Sequence, residues 1–285
     1  MTVPAREAAT VVLLRDRPDG LEVFMVKRHG LSDVLGGAYV FPGGKVDRAD
    51  TDAGLLEHLG APLDGLHAAL GEAGLDPAAA VGLYVAACRE TFEEAGVLLA
   101  EGIGEHQVRE ARVHASQGLS FGDIVARLGV RPDWGNLVPW ARWITPNVPT
   151  MVNKRFDARF FVAAMPANQA ALHDNHEATE SFWLRPRAAL EQYWVREINL
   201  APAQIMSLAA LARRRNVAEV LAAARAGSPP VIQPEPFAHE KLRAIAFPGD
   251  ERHPVRERAL VGPSFLVYRN ERFEPVDGFE SLTEE

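Results

Sequence analysis

The most informative segment of the 285-residue sequence is Arg89-Glu90-Thr91-Phe92-Glu93-Glu94-Ala95-Gly96-Val97. It forms the end of a predicted helix, which begins at Asp76-Pro77, a side-chain cap followed by proline, and stops at Gly96. At about 100° per residue, Glu94 lies about 40° from Glu90 around the helix axis, and Glu93 lies about 60° on the other side. The three carboxylates therefore share one face, which either faces water or binds a hard cation such as Mg²⁺.

A glycine-rich loop precedes this helix in the sequence, in Phe41-Pro42-Gly43-Gly44-Lys45-Val46-Asp47. Glycine lets the backbone approach a metal ion or a phosphate group closely. Taken alone, paired glutamates on a helix are most often a solvated surface. The loop and the acids together instead favour a site that binds a metal ion and phosphate groups.

The loop and the helix resemble the two halves of the sequence box of Nudix hydrolases. That box runs Gly, five residues, Glu, seven residues, Arg-Glu-aliphatic-x-Glu-Glu-x-Gly-aliphatic. Gly44 matches its opening glycine, and the stretch from Arg89 to Val97 matches its second half, with Thr91 where an aliphatic residue is usual. Asp50 stands in the place of the first Glu and is one carbon shorter. Between Asp50 and Arg89 lie 38 residues instead of seven, an expansion similar to that in a branch that includes coenzyme A diphosphatases.

This resemblance implies a fold, a cofactor and roles for several residues. The fold is α+β, a Nudix-type α/β/α sandwich with a mixed β-sheet, carrying helical insertions here. Glu90 and Glu94 would be the principal ligands of Mg²⁺, with Mn²⁺ as the alternative ion. Glu93 would be a further ligand or would be held by Arg89, and both of these residues are catalytic candidates. The substrate-binding candidates in the loop are Gly43, Gly44 and Lys45.

A further carboxylate outside the helix is also implied, because Nudix enzymes tend to carry Glu just before a Trp-Leu-x-Pro segment. Here Glu177 and Glu180 precede Trp183-Leu184-Arg185-Pro186. Either of the two could bind metal or act as the general base. Ordinary loop acidity is an equally good explanation for each of them.

The substrate class is indicated by the residues before the glycine loop. In the coenzyme A branch a second motif precedes Phe-Pro-Gly-Gly, and counting back from Phe41 places its glycine at Gly37 and its first arginine at Arg28. Asp33 takes the place of its second arginine, and His29 that of a small residue, so half of the motif is present. A cation at Arg28 suits a phosphate group, and an exposed arginine at a strand end is the alternative interpretation.

We therefore expect a Mg²⁺-dependent hydrolase that cleaves the diphosphate of a nucleoside diphosphate linked to another moiety. Coenzyme A or acyl-CoA is the favoured substrate, and ADP-ribose and NADH are its nearest rivals. Another alternative is a catalytically silent Nudix-fold module that binds nucleotides, with its box disabled by the insertion. A hydrolase of a non-nucleotide diphosphate is a third. The matching acids favour an enzyme, because a binding module does not need three carboxylates on one face.

Hydrophobic periodicity predicts the elements around the box. Strands are predicted at 8–14, 21–26, 140–165 and 181–184, short helices within 50–76, and helices at 186–194, 202–214 and 217–226; a hairpin is predicted at 265–268 and 272–276. We expect one Nudix domain over residues 1–226, with a helical insertion at about 51–80 inside the box and a helical segment at about 101–134. The remainder, 227–285, is expected to be a C-terminal extension that packs on the domain or is exchanged with it in a homodimer.

Composition limits the partners and the cellular setting. The chain has 38 acidic and 30 basic residues and a formal net charge of −8, which argues against binding to nucleic acid or an anionic membrane. One cysteine cannot form an internal disulfide. No apolar run approaches about 18 residues, and no signal-peptide pattern is present. We therefore expect a cytoplasmic protein whose partner is a small-molecule nucleotide diphosphate.

Overall fold

A mixed eight-stranded sheet forms the centre of the computed structural model, which describes residues 4–30, 36–146, 154–173 and 178–284. Its strands are β1 (Arg6–Arg17), β2 (Gly20–Arg28), β3 (Tyr39–Val40), β4 (Gly43–Lys45), β5 (Val138–Ile144), β6 (Phe156–Ala164), β7 (Ala178–Leu184) and β8 (Val231–Ile232). The order is β3-β2-β1-β6-β5-β8, with β4 paired to β1 and β7 paired to β2. The β1–β6 and β5–β8 pairs are parallel, whereas the other pairs are antiparallel.

Helices cover both faces of this sheet. They are α1 (Ala53–Leu59), α2 (Leu63–Leu70), α3 (Pro77–Ala95), α4 (Glu105–Ser116), α5 (Phe121–Leu128), α6 (Pro186–Trp194), α7 (Pro202–Ala212) and α8 (Val217–Ala226). The predicted limits of α3 are confirmed, because Asp76 accepts a hydrogen bond from the Ala79 amide and Gly96 adopts a left-handed φ of 63°. Within the described ranges, none of the helices has the length and apolar composition that a membrane span requires.

Successive side chains of β1 point to opposite faces of the sheet, and they show how the layers are built. Val11 and Leu13 belong to a first core beneath α1 to α5, whereas Val12 and Leu14 belong to a second core beneath α6 to α8. A strand that is buried on both faces is apolar at almost every position. The predicted α/β/α layering is therefore confirmed, with β1 and its parallel neighbour β6 at the centre.

The inserted segment is docked onto the domain. The leucines of α1 and α2 that face inwards, Leu56, Leu59, Leu66 and Leu70, are part of the first core. The Tyr84 hydroxyl donates to the Leu66 carbonyl across 3.0 Å. After α2, the Glu72 carboxylate lies 2.7 Å from both Arg142 and Arg159, which are on neighbouring strands of the sheet. These contacts fix the path of the chain between the two halves of the box.

The C-terminal extension forms a second, antiparallel sheet. Its strands are β9 (Glu235–His239), β10 (Leu242–Ala246), β11 (Phe265–Arg269) and β12 (Arg272–Glu274), in the order β12-β11-β10-β9. The prediction of a single hairpin was incomplete, since it missed β9 and β10. They are joined by Glu240 and Lys241, which both have positive φ although neither is a glycine or an asparagine. Pro236 within β9 also weakened the strand signal.

Candidate active site

The glycine loop lies directly against the carboxylates of α3. Strand β4 pairs with β1 so that Gly43 faces Thr10 and Gly44 faces Ala9. The Gly43 amide donates to Oε2 of Glu94 across 2.9 Å. A Cβ atom on Gly44 would overlap the carboxylate of Glu90. The two halves of the predicted box therefore meet. A side chain at Gly44 would displace the Glu90 carboxylate, whereas one at Gly43 would clash with Ala9 and Thr10 of β1.

Arg89 connects the parts of this site. Its guanidinium donates to both carboxylate oxygens of Asp50 at 2.9 Å, to Glu90 at 2.8 Å and to Glu93 at 2.9 Å. It also donates to the Lys45 carbonyl at 3.0 Å. Burial opposes the charged form, but the hydrogen bonds to Asp50 and the neighbouring charges raise the pKa of Arg89 above its usual value. The guanidinium therefore stays protonated and fixes the positions of these acids.

Asp50 occupies the partner position of Arg89 and is only 1% exposed. Besides its two bonds from Arg89, it accepts a hydrogen bond from the Asp47 amide at 2.7 Å, at the start of a 3-10 turn over Arg48–Thr51. Its oxygens are thus directed at Arg89 and the backbone. In this place Asp50 orients Arg89 across the insertion.

The three glutamates of α3 are not an evenly solvated face. Glu90 and Glu94 are 9% and 4% exposed, whereas the Glu93 side chain is half-exposed and turned towards Arg89. Burial raises the pKa of Glu93 even though Arg89 lowers it. The contact with Arg89, one of the two roles that the sequence left open for Glu93, is present.

The donor set is compatible with a magnesium ion that the substrate helps to hold. In the described part of the chain, no three His, Cys, Asp or Glu side chains are grouped closely enough to hold a metal ion. Mg²⁺ usually binds through one or two carboxylates and completes its shell with water and substrate phosphates. Glu90 and Glu94, one helical turn apart beside the glycine loop, supply such a pair.

Arg28 lies beside this pair of carboxylates. Its Nη1 atom is 3.9 Å from Oε1 of Glu94. The Arg28 carbonyl accepts a hydrogen bond from the Gly37 amide across 3.1 Å. The Lys45 ammonium group is exposed and pairs with Asp47 at 2.7 Å. The motif residue Asp33 lies outside the described residues.

Glu180 is held on the other side of the sheet. It pairs with Lys27 at 2.9 Å, which lowers its pKa, and accepts a hydrogen bond from the Tyr39 hydroxyl at 3.3 Å. In the pairing of β2 with β7, Glu180 is opposite Lys27 and Phe182 is opposite Met25. Because Lys27 is two residues from Met25, which belongs to the second core, Glu180 is on the second-core face of the sheet. The structure thus does not bring Glu180 together with the acids of α3, which covers the first core. Glu177 lies outside the described residues.

The sequence did not predict a cavity that adjoins the box. It has a volume of about 580 Å³ and lies between α1 of the insertion and α5, with Arg89 and Glu93 at one side. Leu55, Phe121 and Ala126 supply its apolar wall. No local sequence signal could reveal it, because it depends on how two segments 60 residues or more apart dock on one another.

Comparison with known proteins places the chain among Nudix proteins. The family model described as "NUDT19 Nudix domain" matches residues 64–211, just over half of the chain. The proteins named "Acyl-coenzyme A diphosphatase NUDT19" are similar to it. The one from Xenopus laevis is 28% identical over 228 residues, which is 67% of this chain and 59% of the relative. The one from Gallus gallus is 29% identical over 255 residues, which is 72% and 68% of the respective chains.

A solved structure shows the same fold. A NUDIX hydrolase from Alicyclobacillus acidocaldarius superposes with a TM-score of 0.60 at 26% identity, over 78% of this chain and 97% of that one. The alignment with the Xenopus relative covers less than two thirds of that protein's length. The predictions of a Nudix resemblance and a Nudix fold are both confirmed.

Proposed function

The chain belongs to the NUDT19 Nudix domain family, and we propose that it is a Mg²⁺-dependent diphosphatase that cleaves coenzyme A or acyl-CoA. The observation that carries this proposal is the position of Glu90 and Glu94, buried against the Gly43-Gly44 backbone. The substrate class is supported by the similarity to proteins named acyl-coenzyme A diphosphatase. It is also supported by Arg28, which is one of the two matched positions of the coenzyme A motif, with Gly37, and lies beside Glu94.

Each residue of the site has a defined part in the proposed reaction. When bound by Glu90 and Glu94, Mg²⁺ would neutralise the diphosphate and acidify a coordinated water. The Gly43 amide fixes the Glu94 carboxylate, and Arg89 fixes that of Glu90. Arg28 offers a cation to the phosphate groups.

Proton removal from the attacking water falls to Glu93 in this proposal. Arg89 holds one of its oxygens, and the half-exposed carboxylate can reach a water molecule. Cleavage of coenzyme A would then give 3′,5′-ADP and 4′-phosphopantetheine.

Substitution of Glu94 by Gln tests the proposal. The change keeps the shape of the side chain but removes its charge, so we expect cleavage of coenzyme A in Mg²⁺ to fall at least about 100-fold. The far-UV circular dichroism and the melting temperature should stay close to those of the wild type. Glu57→Gln, at an exposed position of α1, is the matched control and should retain activity. Normal turnover by the Glu94 variant would contradict the mechanism.

A substrate panel separates the proposed activity from its rivals. Coenzyme A, an acyl-CoA, ADP-ribose and NADH are each incubated with Mg²⁺ or Mn²⁺, and the products are identified by mass spectrometry. We expect 3′,5′-ADP from coenzyme A. Preferential cleavage of ADP-ribose or NADH would change the substrate class. Tight nucleotide binding without any product would instead identify a binding module.

A further inference from the structure

The cavity between α1 and α5, here called the insertion pocket, is continuous with the Nudix box. Arg89 and Glu93 of α3 form one side of it. Its other walls come from α1, inside the expanded box, and from α5, in the helical segment after the box. Its volume of about 580 Å³ is in the range of pockets that bind small molecules. A substrate whose diphosphate lies at the box can therefore extend into it.

The lining of the insertion pocket disfavours anions. Five carboxylates and one guanidinium, that of Arg89, belong to the lining; the carboxylates are Asp47, Asp50, Asp52, Glu93 and Asp123. A phosphate group placed among these acids would be repelled. The rest of the lining combines apolar side chains, Leu55, Phe121 and Ala126, with the polar side chains of His58 and Ser120. This combination suits an uncharged chain that carries both hydrocarbon and hydrogen-bond donors.

The two halves of coenzyme A also differ in charge. On one side of the diphosphate is an adenosine with a charged 3′-phosphate, and on the other is an uncharged pantetheine arm with two amides and a hydroxyl group. Arg28 lies on the side of Glu94, at 3.9 Å from that carboxylate, whereas the pocket lies on the side of Glu93. Charge therefore separates the two halves: the phosphorylated nucleoside suits the arginine, and the neutral arm suits the pocket.

We propose that the insertion pocket binds the pantetheine arm of the substrate, an inference that rests on the proposed activity towards coenzyme A or acyl-CoA. The expansion of the box then has a function, because α1 supplies one wall of this subsite. Ala126 is the position to test, because it is exposed on α5 and lines the pocket.

The experiment measures inhibition of coenzyme A cleavage by each product separately. We expect Ala126→Trp to fill the pocket and to raise the inhibition constant of 4′-phosphopantetheine about tenfold, while that of 3′,5′-ADP changes less than about twofold. In a second variant, Ala126→Arg, inhibition by 4′-phosphopantetheine should also become weaker, and inhibition by 3′,5′-ADP should not become stronger. The matched control is Ala115→Trp, at an exposed position of α4 outside the pocket. The two alanines are comparable because the carbonyl of each accepts a hydrogen bond from the amide of a glycine three residues later.

The outcomes distinguish the pocket from the activity. Unchanged constants for both products in the Ala126 variants would overturn the assignment of the pocket. The assignment would also be overturned if Ala126→Trp raised the inhibition constant of 3′,5′-ADP alone, or if Ala126→Arg lowered it. Either result would place the nucleoside in the pocket. If the wild type cleaves ADP-ribose but no coenzyme A, the proposed function fails, and the inference fails with it.

Discussion

Gly44 shows how closely the site depends on a single missing side chain. Ala at this position would place its Cβ on the Glu90 carboxylate, which Arg89 holds from the other side. Since the carboxylate is the end of a flexible side chain, we expect it to move away at little cost in folding. The displaced ligand should lower kcat/KM for coenzyme A about 100-fold, while the urea midpoint of Gly44→Ala stays near that of the wild type.

Gly65→Ala is the control for the glycine substitution. Gly65 lies within α2, and a Cβ there would meet nothing within 4 Å. This variant should retain full activity and gain about 0.5–1 kcal/mol of stability from helix propensity. Full activity of Gly44→Ala would mean that Glu90 need not occupy its observed position.

The sequence indicated which glutamates belong to the site, but it did not indicate which groups each of them contacts. Helical spacing placed Glu90, Glu93 and Glu94 on one face; in the structure Glu94 contacts the Gly43 amide, and Glu90 and Glu93 contact Arg89. Spacing alone could not separate Glu93 from the other two, because their distinction depends on where Arg89 points. That direction is set by Asp50, which is distant in sequence.

The pairing of Asp50 with Arg89 joins two elements across the insertion. In sequence, α1 and α2 lie between the 3-10 turn that contains Asp50 and helix α3. Asp50→Asn removes the charge that accepts two hydrogen bonds from the buried Arg89 guanidinium, while Glu90 and Glu93 remain as its partners. We therefore expect a loss of about 2 kcal/mol in the free energy of unfolding. Urea unfolding measures this loss, and activity should fall with it because Arg89 also positions Glu90 and Glu93.

An exposed aspartate serves as the comparison for that substitution. Asp64→Asn, in the first turn of α2, should cost less than about 0.5 kcal/mol. Equal stability of Asp50→Asn and Asp64→Asn would show that the ion pair does not hold the two halves of the box together.

Helices and strands could be predicted where residues at their own ends mark where they begin or stop. Helices α3 and α8 begin at side-chain caps, Asp76 and Asn216, whose hydrogen bonds are present. Strands β9 and β10 lack such signals, since the turn between them uses Glu240 and Lys241 at positive φ. Both turn residues are exposed, and neither residue type indicates a turn at those positions.

For the whole molecule, the sequence could not show that the C-terminal extension completes the second core. Trp143 of the main sheet lies between Phe160, at a ring-centroid distance of 6.3 Å, and Phe247 of the extension, at 6.1 Å. Strand β8 also pairs with β5 in the main sheet. The contacts of Phe247 with Trp143 and of β8 with β5 join residues about 90 to 105 positions apart in sequence, so neither periodicity nor turn signals could reveal them.

Because Phe247 packs into this shared core, its loss should destabilise both parts together. Phe247 is buried, and we expect Phe247→Ala to lower the free energy of unfolding by about 3–5 kcal/mol. Urea titrations followed by tryptophan fluorescence and by far-UV circular dichroism should give one coincident transition, shifted to lower urea. Val255→Ala, at an exposed position of the extension, should barely shift it. Two separate transitions, or a shift as small as that of Val255→Ala, would mean that the extension unfolds independently of the main sheet and its helices.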